Sequence, residues 1–209
     1  MAKTSGTAPA IGLVLLLAML ALAAGCQQLA DLKEEFDPRL SKADQAYQAA
    51  VEPYLTLGVV YKGPATEMKA RVLPLTPTVR RAVALRTAQA LAQDQAGGQR
   101  LQEEAQADLA RNLEVVVSLY VPERHWSDLT ADKPDWRLVI LDGAGQRLEP
   151  IDIRLIREKE RSALNQTLYY FWGPWDRLFL VRFAAPQAPP ARLLVTGALG
   201  LVEIPLKLD

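Results

Sequence analysis

The chain has one histidine, His125, in the stretch Arg124-His125-Trp126-Ser127. Proton transfer near neutral pH, a Ser-His-Asp set or a histidine-containing metal site would have to use it. No second histidine exists, and the only cysteine, Cys26, is far away in sequence. The Asp and Glu residues show neither metal-ligand spacing nor a calcium-loop pattern. His125 is therefore read as an ordinary loop residue. Glu103 and Glu104 are adjacent in a helical stretch, so they point in different directions and form a solvated face, not an acid/base pair. Gly197-Ala198-Leu199-Gly200 is too short to cradle a phosphate and reads as a turn, and no nucleophile-elbow motif occurs. Asn165-Gln166-Thr167 matches a glycosylation sequon, a short pattern that arises often by chance. No catalytic residue, metal or cofactor is expected.

The densest feature is Tyr169-Tyr170-Phe171-Trp172-Gly173-Pro174-Trp175, which holds five of the fourteen aromatic residues. Read as a strand over 167–172, it puts Tyr169 and Phe171 on one face and Tyr170 and Trp172 on the other. One face could be core while the other shows Tyr and Trp to a partner, where such residues anchor interfaces and stack on sugars or peptides. The alternative covers both faces, with Trp172 packed at a corner, and aromatics are more often buried that way. The expected contact residues are Trp126, Tyr170, Trp172 and Trp175.

These residues must be held by surrounding elements. Pro38 suits the first turn of a helix capped by Asp37, and Leu40, Ala43, Tyr47, Ala50, Val51 and Tyr54 recur on one face, giving a helix over 38–52. Two strands are expected within 55–75, separated by the Gly63-Pro64 turn. The stretch 77–112 is rich in helix formers and reads as a helical hairpin. Gly97-Gly98 is expected to divide it, since two adjacent glycines weaken a helix by about 1 kcal/mol each. That hairpin carries Arg80, Arg81 and Arg86, read as solubilising charges.

From Leu113 the pattern becomes β-branched and alternating. Strands are expected at 113–121, 136–141, 146–156, 167–172, 177–183, 192–196 and 199–208, with Asp142-Gly143-Ala144-Gly145 as the strongest hairpin turn. About eight strands with short turns and no βαβ alternation predict an antiparallel β-sandwich, immunoglobulin-like, mainly β with helical additions. The hairpin would then lie between the second and third of these strands. Residues 38–209 are read as a single domain.

The N-terminus has another grammar. Lys3 precedes the apolar run from Ile11 to Ala24, which is too short for a bilayer span of about 20 residues and fits an export signal. The run ends in Leu22-Ala23-Ala24-Gly25-Cys26. This resembles the lipobox of bacterial lipoproteins, although Ala23 stands where leucine is more usual. The resemblance covers the leader alone. It implies removal of residues 1–25, acylation of Cys26 and a tether over 26–37. It also gives the lone cysteine a role, where no internal disulfide can form. Gln27 replaces the aspartate that marks inner-membrane retention in that family, which points to an outer membrane and a periplasm-facing domain.

Beyond Cys26 the chain has one more acidic than basic residue, which gives no electrostatic footprint for nucleic acid. The expected function is non-enzymatic: a membrane-anchored envelope lipoprotein acting as an interaction or assembly module with another envelope protein. The alternative is a lipoprotein that holds a glycan or apolar small molecule through its aromatic segment.

Overall fold

A computed structural model of the protein describes residues 41–106 and 112–209. The expected signal segment, Cys26, the tether and the start of the first helix lie outside the described residues.

The described chain runs α1 (Lys42–Val51), β1 (Thr56–Lys62), β2 (Ala65–Pro74), α2 (Pro77–Ala90), α3 (Gln95–Gln106), β3 (Asn112–Tyr120), β4 (Trp136–Leu141), β5 (Arg147–Leu148), β6 (Asp152–Ile156), α4 (Ala163–Leu168), β7 (Arg177–Ala184), β8 (Ala191–Gly197) and β9 (Gly200–Leu206). The strands form two sheets, ordered β1-β2-β3-β7-β6 and β5-β4-β8-β9. Every pairing is antiparallel.

The composition of β3 explains the layering. Val115, Val116, Val117 and Leu119 are all buried, although neighbours in a strand point to opposite faces. Both faces of the first sheet must therefore be covered, which is why β3 reads as a continuous apolar run. Val115, Val117 and Leu119 join Phe179, Val181, Leu138, Ile140, Leu193 and Ile204 in the core between the two sheets. Val116 faces the other way and joins Leu73, Leu178 and Ile156 under Tyr47, Val51, Val79 and Leu168 from the helices. The two antiparallel sheets thus share one apolar core, and helical residues pack on the other face of the first sheet.

At one edge the sheets approach closely. A Cβ placed on Gly58 of β1 would come within 2.4 Å of Ile204 Cδ1 on β9, so no larger residue fits there without a shift.

Two helices, α2 and α3, lie between β2 and β3, and Gly97-Gly98 does not divide them. The break falls after Leu91, where Ala92 adopts a left-handed φ of 47°. Asp94 Oδ1 then accepts a hydrogen bond from the Gly97 amide at 2.8 Å, which is N-capping geometry. Both glycines thus sit in the first turn of α3, where they weaken the helix least. At Gly98 a Cβ would make only an ordinary van der Waals contact with Ala88 Cβ of α2, at 3.6 Å.

The arginines on α2 are fasteners. Arg80 donates to the Leu75 carbonyl at 3.0 Å and to Glu114 at 2.8 Å, and Arg86 pairs with Asp44 of α1 at 2.7 Å. Only Arg81 keeps the exposed position expected of a solubilising charge.

Two expected strands need correction. The stretch 146–156 is two strands in different sheets, since β5 pairs with β4 while β6 pairs with β7. Pro150 lies at the break and cannot donate to either ladder. The stretch 167–172 is not a strand: it holds the end of α4 and the turn that follows.

Candidate functional site

Ser162 initiates the aromatic segment. Its hydroxyl accepts from the Asn165 amide at 3.1 Å, while the Asn165 side chain donates to the Glu160 carbonyl at 2.6 Å. With these caps in place the chain turns helical through Leu168. The aromatics that suggested a strand instead leave α4 in successive turns and pack by tertiary contact. Tyr169 and Tyr170 are partly buried, and each meets Phe171 edge-on, at centroid distances of 6.4 and 5.6 Å. The Tyr170 hydroxyl donates to Glu52. Burial is the first cause that raises the Tyr170 pKa, and the Glu52 hydrogen bond adds to it.

Trp172 is only 5 % exposed, so it offers little surface for a contact. Its Nε1 donates to the Asp176 carbonyl at 3.0 Å, and the Arg161 guanidinium lies 4.6 Å from its ring centroid. Arg161 also donates to the Trp172 carbonyl at 2.9 Å. The indole is thus stacked and saturated, as its donor requires when buried.

Gly173-Pro174-Trp175-Asp176 closes as a β-turn, with the Asp176 amide donating to the Gly173 carbonyl at 3.2 Å. Proline in the second position pre-sets the backbone for such a turn. Its fourth residue is pinned. Asp176, 4 % exposed, accepts from Ser118 Oγ at 2.7 Å, from Arg71 Nη1 at 3.3 Å and from the Gly173 amide at 3.3 Å. Arg71 and Ser118 are register partners on β2 and β3, so the network ties the turn to the middle of the first sheet. Trp175, at the turn's third position, is held out with 76 % of its surface exposed.

The surface beside it combines apolar and basic groups. Leu57, also exposed, pairs in register with Arg71, and Val59 pairs with Lys69. Lys69 in turn stands 5.3 Å over the Tyr120 ring. These residues lie on the sheet face that carries the helices, on the part of it leading away from Leu73.

The loop of His125 and Trp126 is a single 3-10 turn over Arg124–Ser127. His125 is 71 % exposed at its side chain, with Nδ1 3.9 Å from Glu123. Its ring meets Trp126 edge-on at 5.3 Å. Trp126 packs against the inter-sheet core and lines a cavity of about 140 Å³ with Asp135, Trp136, Ala198 and Leu199.

Arg124 from the same loop reaches the aromatic segment. It lines a cavity of about 190 Å³ together with Arg157, Glu158, Trp172 and Arg177. Arg177 pairs with Asp128 at 3.0 Å and fixes the loop to the start of β7. Hydrogen bonds from the Thr130 hydroxyl, then from the Thr130 amide and Arg177, lower the Asp128 pKa against the opposing effect of burial. The fold thus brings the loop and the aromatic segment together through arginines. It leaves Trp126 and Trp172 on different cavities.

Sequence reasoning missed Arg71, Ser118 and Asp176. One signal was available: Arg71 and Ser118 are polar interruptions of apolar strands, and such interruptions call for buried partners. Among the described residues, no cluster of three His, Cys, Asp or Glu side chains could hold a metal, and no helix is long and apolar enough to cross a membrane. No protein-family model matches the chain, nor does any curated protein or any solved structure.

Proposed function

We propose that the protein is a lipid-anchored envelope protein that works without catalysis, by holding a partner protein at its Trp175 surface. The anchor is the acylated Cys26 that the lipobox-like sequence implies, in an outer membrane with the domain facing the periplasm. The observation that carries the reading is the contrast between Trp175 and its neighbours. A tryptophan exposed over 76 % of its surface stands on a turn whose last residue, Asp176, is fastened by three hydrogen bonds that its buried carboxylate accepts. Large rigid aromatics presented this way serve as interface anchors, because little entropy is lost when they are buried. Leu57, Lys69 and Arg71 would give the anchor an apolar and basic rim. The sandwich would serve as immunoglobulin-like scaffolds do, with contacts grafted on its connecting turns.

The test is photocrosslinking in the envelope. A benzoyl-phenylalanine at position 175 of the lipidated chain should give a discrete protein adduct, and the same probe at the exposed Leu85 of α2 should not. Equal labelling at both positions, or none at 175, would overturn the reading.

The second reading is a small apolar ligand in the cavity lined by Trp126, Trp136 and Leu199. At about 140 Å³ that cavity is well below the roughly 300 Å³ at which drug-sized ligand pockets begin. Native mass spectrometry of the purified chain would reveal a retained molecule.

A further inference from the structure

The cavity of about 190 Å³ between the His125 loop and the aromatic segment gathers three arginines, Arg124, Arg157 and Arg177. They come from separate elements. Arg124 opens the 3-10 turn, Arg157 follows the last residue of β6, and Arg177 is the first of β7. Ile156 pairs with Leu178, so the next position along that ladder sets Arg157 opposite Arg177. Like charges placed opposite each other are unfavourable unless an anion relieves them. A fourth guanidinium, Arg161, lies against the Trp172 ring that closes part of the wall.

The nearby carboxylates do not balance this set. Asp128 holds Arg177 at 3.0 Å, Asp176 takes Arg71, Ser118 and the Gly173 amide, and Glu160 takes Arg154 and the Arg157 amide. Glu158 alone is left for Arg124 and Arg161, at 4.0 and 3.7 Å, both beyond hydrogen-bond range. Among the described residues the Arg157 guanidinium has no ion-pair partner. Three cations, Arg124, Arg157 and Arg161, thus share one carboxylate. Their donors are within reach of a ligand, since Arg157 is exposed and the Arg124 side chain is 69 % exposed.

We infer that this cavity binds a phosphate group, held by Arg124 and Arg157 with Arg177 beside them. One guanidinium fork satisfies a planar carboxylate, whereas a tetrahedral dianion presents oxygens to several forks and matches the two uncompensated charges. The inference does not rest on the partner proposed for Trp175. The same phosphate chemistry could come from a lipid headgroup or from a free phosphate ester.

The test is a titration of the full chain in maltoside micelles, read by amide correlation spectra at constant ionic strength. The probes are inorganic phosphate, glycerol 3-phosphate and phosphatidic acid doped into the micelles, with acetate as control. Phosphate probes should shift the amides of Arg124 to Ser127, Arg157, Glu158 and Arg177 saturably, and acetate should not. Saturation by dissolved glycerol 3-phosphate assigns a free ester; saturation by phosphatidic acid alone assigns a lipid headgroup. Arg157→Ala should weaken binding by about tenfold with an unchanged melting curve. Glu158→Gln removes the competing carboxylate and should tighten binding by about threefold. Absence of shifts with all three phosphates, equal shifts with acetate, or unchanged affinity in Arg157→Ala or in Glu158→Gln overturns the assignment.

Discussion

Ser118 and Asp176 lie 58 residues apart in sequence and share a buried 2.7 Å hydrogen bond, the shortest link between the first sheet and the turn that presents Trp175. Removing the carboxylate leaves Ser118, Arg71 and the Gly173 amide without their acceptor. Asp176→Ala should therefore lower stability by about 3 kcal/mol, and Ser118→Ala by about 1 kcal/mol. Urea denaturation of both variants checks this. Equal small losses would mean that the network does not brace the turn.

Trp172 and Trp175 are three residues apart and should behave oppositely. Trp172→Ala empties a packed site and loses a saturated indole, at a cost of roughly 3–5 kcal/mol. Trp175→Ala should stay within about 0.5 kcal/mol of the parent, as exposed substitutions do, yet abolish crosslinking to the partner. Melting curves beside adduct yields separate the two roles.

The buried phenols give a pH signature. Burial first, then the charges of Tyr169 and Tyr170, raise the pKa of Tyr47, and burial first raises that of Tyr170. A folded-state pKa above the unfolded value means that the contribution is fully present below about pH 10 and is lost as pH rises through the folded value. Both phenols should stay protonated beyond the ordinary tyrosine range, and the more deeply buried Tyr47 should ionise only as the chain unfolds. Phenolate absorbance recorded alongside circular dichroism would show the two transitions coinciding. Tyr47→Phe, which loses the 2.7 Å bond to the Leu168 carbonyl, should remove one of the late-ionising groups.

The helix break at Ala92 is testable by relief. A non-glycine residue at φ 47° is strained, so Ala92→Gly should raise stability by up to about 1 kcal/mol. Asp94→Ala should cost about 1 kcal/mol through the lost cap. Loss of stability in Ala92→Gly would contradict the left-handed turn.

Acylation at Cys26 is checked by labelling. Cells expressing the parent should incorporate radiolabelled palmitate into the mature chain, and Cys26→Ser should block both labelling and cleavage after Gly25. Labelled Cys26→Ser protein would remove the anchor from the proposal.

The strands were readable wherever composition and burial agreed. Val115 to Leu119 and Leu178 to Phe183 announce strands because both faces are apolar, and the Asp142–Gly145 turn announces its hairpin through turn chemistry. The aromatic segment misled because Tyr, Phe and Trp favour strands on average, whereas here the Ser162 cap sets a helix and tertiary packing absorbs the rings. Gly97-Gly98 misled because glycine weakens a helix interior but is tolerated in a first turn under Asp94. The proposed contact surface was only half legible. Tryptophan content pointed to the segment and to both Trp172 and Trp175, but burial leaves only Trp175 exposed, and the Asp176 anchor depends on Arg71 and Ser118 from two distant strands.

The sheet order also governs when the chain can acquire structure. Val116 of β3 finds its partner in Leu180 of β7, and Val139 of β4 finds its partner in Leu194 of β8. Neither sheet can close until segments more than fifty residues downstream have been made, and such non-local closure is slow. A nascent chain that has emerged as far as β6 therefore holds, besides its helices, only the β1–β2–β3 pairings and the short β4–β5 pairing. The central strands β3 and β4 each keep one unpaired edge until β7 and β8 arrive, so the last strands made complete both sheets almost at once.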